Sequence, residues 1–359
     1  MRIFAATSRY MQGPDLLDQL GRQAAVLGNC CVIVTDSDVE RLFGARMLAS
    51  FSGTQAQAAL LTFPGEVTRP TIDALADRAR ALGANVVIGV GGGKGIDAAK
   101  GVAIELGARM VSVPTVASND GPASASVAVY DDAHVMTEIL QMKRNPDLVL
   151  VDSRAIAGAP LKFLLAGIGD AISKKFEAEA CVAAGAATLV GSSPTTTGLL
   201  VADACWRTLR DRGPAAVAAV GAGQLDENVE AVIEACVLLS TLAFENGGLS
   251  VAHAIARSFP TLPRAAHTLH GAHVAYGLLV QFVLEERKQT ERDELAALYK
   301  SMRLPLRLAD FGLVDATPQE VRQLAENAMP SPSVRRFVRK LDADQIEQAI
   351  LGVENRFSR

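Results

Sequence analysis

The first part of the chain alternates short apolar runs with amphipathic segments. Four runs rich in β-branched residues end in turn residues, at 30–37, 85–93, 109–115 and 147–153. Continuous apolar character of this kind predicts strands buried on both faces of a parallel sheet. Residues 69–83 and 94–107 carry apolar positions at helical spacing and end in glycine, a common helix C-cap. The pattern therefore predicts an α/β fold.

From about residue 155 the pattern changes. Long Ala- and Leu-rich segments follow each other with few β-branched runs, and residues 161–187 and 225–245 are typical of packed helices. Residues 342–357 have the pattern of a last amphipathic helix. We therefore expect an α/β domain over residues 1–156 and an all-α domain over residues 157–359.

Composition narrows the partners. With 359 residues and 49% hydrophobic residues, the chain can bury two substantial cores. Lys and Arg total 35 against 39 Asp and Glu, a net charge of -4, which makes no electrostatic case for nucleic acid or an anionic membrane. Small molecules and copies of the same chain are the expected partners.

The termini and cysteines indicate a compartment. The N-terminal residues lack the apolar core of a signal peptide, and no stretch of about 18 uncharged apolar residues predicts a membrane span. The five cysteines are odd in number and form no C-x-x-C pair, which favours buried thiols over a disulfide framework. We expect a cytoplasmic protein.

A glycine turn follows the second predicted strand. Gly91, Gly92 and Gly93 stand between that strand and a helix, where backbone N–H groups can approach a phosphate closely. The P-loop pattern is excluded because Gly95, rather than Ser or Thr, follows Lys94, and Lys94 also occupies the third glycine position of the usual Rossmann fingerprint. A phosphate site and a plain tight turn both fit the turn.

Asp36 stands at the end of the first predicted strand. A carboxylate there can bind the adenosine ribose hydroxyls and repel a 2′-phosphate, which would favour NAD over NADP. A helix N-cap is the alternative role, and the residue alone does not decide between the two.

Four of the five histidines lie between residues 253 and 273. His253 and Asp170 both occur in apolar helical contexts, where a buried aspartate is costly unless it is paired or bound to metal. Two histidines and one aspartate from separate helices would build a metal site with one open position. Periodicity does not choose among His267, His270 and His273.

Several long motifs in order carry a family resemblance: "GVGGGKGIDAAK", "PTVASNDGPASASVAVY", "VDSRAIAGAPLKFLLAGIGDAISKKFEAEAC", "FENGGLSVAHAI" and "LHGAHVAYGLLVQ". Together, over residues 5–300, they resemble the glycerol dehydrogenase branch of the iron-containing (group III) alcohol dehydrogenases. The resemblance implies a Rossmann-like dinucleotide-binding domain, an all-α metal-binding domain and an active site in the cleft between them, an architecture shared with dehydroquinate synthase.

The resemblance assigns the metal ligands and the nearby histidines. It implies that Asp170, His253 and His270 hold Zn²⁺, with Fe²⁺ as the alternative ion. His267 is expected close by as a substrate-pocket residue. His273 stands where relatives usually have a charged residue, so we expect it on a solvated helix face, and we expect His134 at the surface.

The resemblance also assigns the cofactor and substrate residues. Asp36 would bind the adenosine ribose, the glycine turn the pyrophosphate, and the later residues the part of NAD toward the nicotinamide. The full set is Asp36, Gly91, Gly92, Gly93, Lys94, Thr115, Ser118, Ser124, Ser126 and Tyr130. Ser126 stands where relatives often have Leu. Asp120 matches an aspartate that binds a substrate hydroxyl. The branch also tends to form octamers built from dimers, so a homo-oligomer is expected.

Three positions depart from the glycerol dehydrogenase pattern. Ala256 replaces a second histidine, which would leave a roomier substrate pocket, and Arg257 follows it as a group that could attract an anion. Lys175 stands where relatives often have Trp. The metal-assisted alcohol chemistry is therefore better supported than glycerol itself as the substrate.

The function implied is a metal-dependent, NAD-linked oxidation of a glycerol-like vicinal diol to the hydroxyketone, or the reverse reduction. A Lewis-acid cation would lower the pKa of the carbinol and so favour loss of its hydride to the nicotinamide. The alternatives are a 2-oxo acid or aldehyde reductase and a glycerol phosphate dehydrogenase of the same family. A sugar-phosphate cyclase-type lyase and a non-catalytic NAD- or metal-binding protein are the remaining interpretations.

Overall fold

The computed structural model describes residues 1–131 and 136–357, and His134 lies outside them. The chain forms two compact units. One comprises Ala6–Pro160 with Gly223–Leu225, and the other comprises Met1–Ala5, Leu161–Ala222 and Asp226–Arg359. The sequence predicts a division at residues 156/157; in the structure the long segments change unit between Pro160 and Leu161.

The first unit is an α/β unit built on a parallel sheet. Within the described residues the sheet has six strands in the order β1-β8-β5-β4-β2-β3. A separate antiparallel hairpin pairs β6 with β7. The strand bounds are β1 Tyr10–Gly13, β2 Cys30–Thr35, β3 Gln57–Thr62, β4 Val86–Gly91, β5 Arg109–Pro114, β6 Ser126–Tyr130, β7 Met136–Gln141 and β8 Leu148–Asp152.

The central strands are buried on both faces, as their apolar runs predict. Along β2, Val32 and Val34 belong to the core on one side of the sheet, while Cys31 and Ile33 belong to the core on the other. Alternate side chains of a strand point to opposite faces, so a strand with both faces covered must be apolar throughout. The predicted parallel sheet is confirmed.

Side-chain caps start several helices of this unit. Thr68 accepts from the N–H of Thr71, and Asp152 accepts from the N–H groups of Arg154 and Ala155. These contacts satisfy first-turn N–H groups, which have no partner inside a helix. The helices are α1 Leu20–Ala24, α2 Ser37–Ala49, α3 Arg69–Ala81, α4 Gly93–Leu106 and α5 Ser153–Ala157.

The second unit is helical throughout the described residues. The segment 161–187 breaks after Ala171, and the segment 225–245 contains a π-helical turn at Ala235–Leu239. The predicted last helix is present as α15. The bounds are α6 Leu161–Ala171, α7 Lys174–Ala183, α8 Thr196–Gly221, α9 Glu227–Glu234, α10 Ser240–Gly247, α11 Val251–Ala256, α12 His270–Leu284, α13 Gln289–Met302, α14 Pro318–Ala328 and α15 Ala343–Phe357.

Among the described residues, no single helix is long and apolar enough to cross a membrane. One bent pair, Glu227–Gly247 with Val251–Thr261, meets the criterion by length and composition alone, with an angle of 109° between its halves.

Candidate metal and cofactor sites

Two glycines of α12 bring three helices together. A side chain at Gly271 would overlap the carbonyl of Ala166 in α6, and one at Gly277 would overlap the carbonyl of Ala252 in α11. Only glycine permits backbone contact this close. His270 directly precedes Gly271, and His253 directly follows Ala252. The close packing of the helices therefore sets the positions of both imidazoles.

Asp170, His253 and His270 form one cluster in the helical unit. Their ligand atoms all lie within 4.8 Å of one another, with Asp170 and His253 buried and His270 exposed. His253 Nε2 lies 3.3 Å from Asp170 Oδ1, and the two imidazole centroids are 5.5 Å apart. Two imidazoles and one carboxylate, open on one side, are the donors of a catalytic divalent metal site. The residues therefore fit such an ion.

Glu177 orients His253 from behind. Its Oε2 lies 2.7 Å from Nδ1 of His253, and its Oε1 accepts from the backbone N–H groups of Ser250 at 2.7 Å and His253 at 3.1 Å. Because a carboxylate only accepts, this contact places a proton on Nδ1 and leaves Nε2 facing Asp170. The Ser173 hydroxyl also donates to Oε2, at 2.9 Å.

The charges in this cluster support one another. Burial disfavours ionised Glu177, but the neighbouring His253 outweighs it and holds the pKa of Glu177 below its usual range. Burial likewise opposes the charge of His253, but Glu177 raises the pKa of that imidazole. Each group thus favours the charged form of the other.

The ammonium of Lys174 also belongs to the cluster. Its Nζ lies 2.6 Å from Asp170 Oδ1 and 3.1 Å from His253 Nε2, and 5.7 Å from the centroid of Phe244. Burial acts to raise the pKa of Asp170, but Lys174 and His253 outweigh it and hold that pKa well below the usual range. The side chain of Lys174 is fully buried.

Lys174 and Glu177 are not among the residues predicted from the sequence, although a signal was present. They follow Asp170 by four and seven positions, the spacing that places residues on one face of a helix. Charged residues at this spacing from a buried aspartate indicate a shared polar cluster.

His267 and His273 have different surroundings. The expectation that His273 is solvated is wrong: it is 2% exposed, stacks on Phe259 with centroids 4.5 Å apart, and contacts the Thr268 hydroxyl at 2.5 Å. Its apolar neighbours exclude water. His267 is exposed and lines a cavity of about 900 Å³ whose rim also carries several cationic side chains, Lys162, Lys300, Arg303, Arg307 and Arg356.

The departures from the family pattern have different surroundings. Ala256 is fully buried. Its role in shaping the substrate pocket stays a prediction. Arg257 is exposed. Lys175 is partly buried and forms an ion pair with Asp203 at 2.9 Å, which accounts for its charge.

In the α/β unit, Asp36 and the glycine turn occupy neighbouring strand ends. Strands β2 and β4 are adjacent and parallel, so the residues that follow them meet at one edge of the sheet. β3 pairs with one side of β2, and the next strand, β4, pairs with the other side, so the strand order changes direction between β2 and β4. Open α/β sheets bind ligands at such a switch point. Gly91 has φ 147°, a conformation that favours glycine, and a side chain there would lie 3.6 Å from Asp36 Oδ2.

The N-cap role of Asp36 leaves its predicted ribose role possible. Its Oδ1 accepts from the N–H of Val39 and caps α2, while its Oδ2 faces the glycine turn. A cap uses one oxygen and leaves the second carboxylate oxygen for a ribose hydroxyl. The N-cap is therefore observed, and the ribose contact stays a prediction.

Further predicted cofactor residues lie along the same edge. The N–H of Thr115 donates to the carbonyl of Gly91, which ties the segment after β5 to the glycine turn. Lys94 Nζ lies 2.7 Å from Glu66 and 5.4 Å from the ring centroid of Tyr130. Ser118 lies three residues after Thr115 in the same segment, partly exposed.

Buried Lys100 fixes the loop that carries Asp120, Ser124 and Ser126. Its Nζ donates to the carbonyls of Gly121 at 2.6 Å and Ser126 at 3.0 Å, and to Ser124 Oγ at 3.3 Å. The side chain of Lys100 is fully buried, so these oxygens and the carboxylate of Asp97, at 3.5 Å, offset its charge in place of water. The sequence analysis did not single out Lys100; its place on the apolar face of a predicted helix was the available signal.

Comparison with known proteins agrees with this arrangement. Residues 7–153 match the family described as iron-containing alcohol dehydrogenase. Over 91% of this chain and 89% of the relative, the sequence is 36% identical to a glycerol dehydrogenase of Escherichia coli. The chain belongs to the iron-containing alcohol dehydrogenase family. It is an oxidoreductase that acts on a CH–OH group.

One further relative and one solved structure match this chain across both units. A glycolaldehyde reductase of Halobacterium salinarum is 35% identical over 91% of the chain and 89% of the relative. The solved structure of a probable glycerol dehydrogenase from Sinorhizobium meliloti superposes with a TM-score of 0.94, at 35% identity and 99% coverage of both chains. The predicted family and the predicted fold class are both confirmed.

Proposed function

We propose that this protein is a metal-dependent, NAD-linked dehydrogenase that oxidises a glycerol-like vicinal diol to the hydroxyketone, or catalyses the reverse reduction. The observation that carries the proposal is the convergence of the Asp170, His253 and His270 donor atoms within 4.8 Å. It occurs in a chain whose relatives include glycerol dehydrogenases of Escherichia coli and Pseudomonas putida.

Asp170, His253 and His270 would hold the divalent ion. When bound, Zn²⁺ or Fe²⁺ supplies Lewis-acid polarisation of the substrate oxygen, which makes the carbinol easier to deprotonate. Glu177 keeps a proton on Nδ1 of His253 and so presents Nε2 as a donor nitrogen. The exposed side chain of His270 places the open face of the cluster toward solvent, where a substrate can enter.

The α/β unit would hold NAD. The N-terminal turn of α4 begins at the glycine turn, and its N–H groups and helix dipole favour a pyrophosphate at that point. The free Oδ2 of Asp36 would accept from the ribose 2′-hydroxyl and repel a 2′-phosphate. NAD supplies the hydride acceptor when bound. Asp120, on the loop held by Lys100, is proposed to bind a substrate hydroxyl.

The proposal is tested by NADH formation. Purified zinc-loaded protein is mixed with NAD⁺ and with glycerol, 1,2-propanediol and 1,2-butanediol at alkaline pH, and absorbance at the NADH band is followed. We expect turnover with at least one diol and loss of turnover on chelation. Failure to oxidise any diol, with zinc and NAD⁺ both shown to bind, would contradict the proposal.

A second candidate is the reduction of a hydroxyaldehyde. It is favoured by the similarity to the glycolaldehyde reductase of Halobacterium salinarum, and exposed Arg257 next to the metal donors would suit an anionic 2-oxo acid. The same preparation is assayed with NADH against glycolaldehyde, dihydroxyacetone and pyruvate. A higher kcat/KM for dihydroxyacetone than for the other two compounds favours the diol dehydrogenase. A higher kcat/KM for glycolaldehyde or pyruvate favours the second candidate.

We also infer a homo-oligomer, a dimer-based octamer, that works in the cytoplasm. The family supports the assembly. The compartment is supported by the five cysteines, none of which forms a disulfide within the described residues. Light scattering of the purified protein measures the subunit count.

A further inference from the structure

The position of Lys174 conflicts with tight metal binding. Its Nζ approaches two of the three proposed donors, Asp170 Oδ1 at 2.6 Å and His253 Nε2 at 3.1 Å. These two donor atoms are 3.3 Å apart. Bonds from zinc to such donors are about 2.0–2.2 Å long, so an ion held by both would lie within about 4 Å of the ammonium.

Two cations at such a separation repel each other strongly, and more so in a site with little water. Lys174 has no exposed side-chain surface and Asp170 has 1%. The aromatic ring of Phe244 and the neighbouring helices surround the ammonium, so solvent screens it little. A divalent ion can then bind in one of two ways. Either the ammonium moves away from Asp170, or both cations remain and their repulsion lowers the affinity for the ion.

The ammonium also has a role when no metal is present. Asp170 at the end of α6 and Glu177 in α7 are two buried carboxylates, and one cation between Asp170 and His253 offsets part of their charge. An unpaired buried carboxylate is strongly destabilising. The metal-free cluster is therefore held together by the chain itself.

We propose that Lys174 is an internal cation that competes with the divalent ion for Asp170, so that this site binds metal weakly and exchangeably and stays assembled without it. The inference rests on the metal site of the proposed function. It adds that the affinity for the ion is limited by one residue of this chain.

The test compares K174M with the wild type and with K175M. Methionine keeps the length of the side chain without its charge. Lys175 is a matched control because it is the adjacent lysine but pairs with Asp203 and not with the metal donors. Zinc affinity is measured by competition with a chromogenic chelator. Melting temperatures are measured with and without zinc, so no readout depends on substrate.

We expect the zinc Kd of K174M to be at least tenfold lower than that of the wild type, since the repulsion is removed. Metal-free K174M should melt below metal-free wild type, and zinc should raise its melting temperature by more. K175M should match the wild type in each measurement. K174Q, which keeps a hydrogen-bond donor without the charge, replaces K174M if the latter does not fold.

An equal or higher zinc Kd in both K174M and K174Q would overturn the inference. Absence of zinc binding in the wild type and both variants would overturn it together with the metal site. If the neutral variants bind zinc more tightly but no variant oxidises a diol, the inference stands and the proposed substrate fails.

Discussion

Replacing Glu177 by Gln should weaken both the helical unit and its metal site. The carboxylate of Glu177 is buried and accepts four hydrogen bonds, from the N–H groups of Ser250 and His253, from His253 Nδ1 and from the Ser173 hydroxyl. Gln has nearly the same shape, but its amide nitrogen donates and cannot accept. The change therefore removes charge and acceptors without creating a cavity.

The magnitude follows from these contacts. One oxygen of the carboxylate accepts from two backbone N–H groups, and the other accepts from the imidazole and the hydroxyl. Whichever way the Gln amide is oriented, the donors on one side face an NH₂ group. A hydrogen bond to a charged group contributes about 1.5–3 kcal/mol, and a buried donor left unpaired costs about 1–3 kcal/mol. We expect E177Q to lower the free energy of unfolding by about 3 kcal/mol.

Metal affinity should fall as well. A carboxylate behind a metal-binding imidazole fixes its orientation and raises its basicity, and its removal typically costs about 10–100-fold in metal affinity. Urea denaturation of the metal-free protein measures the first effect, and competition with a chelator measures the second. The matched control is E179Q, on the same helix, because Glu179 is half exposed and pairs with Arg287.

The control should change the free energy of unfolding by no more than about 1 kcal/mol, because Glu179 is 45% exposed and Arg287 keeps its pairs with Glu285 and Glu291. If E177Q and E179Q have the same denaturation midpoint and the same zinc Kd, the reasoning about the polar cluster is refuted.

Three further predictions concern other parts of the chain. NAD should be preferred to NADP by at least about tenfold in kcat/KM, and D36A should narrow that ratio because the 2′-phosphate is no longer repelled; a wild type that prefers NADP would exclude the proposed ribose contact. K100M should raise the KM for the coenzyme and speed proteolysis of the 119–126 loop, since its carbonyls lose their cation; unchanged kinetics and digestion would contradict this. Burial lowers the pKa of His273 to about 3, so its contribution to stability is complete above about pH 6.5 and is lost as the pH falls from 6.5 towards 3. H273F should therefore lose less stability than the wild type between pH 7 and pH 5, by about 2 kcal/mol, and parallel urea-midpoint profiles would refute it.

The features of the α/β unit that sequence predicts are those with strong local signals. Continuous apolar runs identify buried parallel strands because both faces must be covered, and β2 and β4 lie where those runs stand. The edge strand β3 and the hairpin of β6 and β7 are half exposed, with mixed patterns that the analysis did not assign. Register and strand order depend on contacts between distant segments and carry no local signal.

The candidate metal site shows the same limit. A family motif selects His270, whereas spacing alone does not separate it from His273, three residues later on α12. The environment of His273 is made by Phe259 and Phe311, which are distant in sequence, so its burial was not visible. Lys174 was overlooked because a lysine in an amphipathic helix is usually solvated, and only the packing around Asp170 shows that this one is buried.

The most direct test of the account is zinc stoichiometry measured together with turnover. Protein is equilibrated by dialysis against excess free zinc and the bound metal per chain is determined at that equilibrium, and NADH formation from the preferred diol is measured under the same zinc concentration in the wild type, H270Q and H267Q. The account predicts one zinc per chain in the wild type and H267Q, and loss of both zinc and turnover in H270Q with NAD⁺ binding retained. Full zinc content and turnover in H270Q, or turnover that persists in the metal-free wild type, would contradict it.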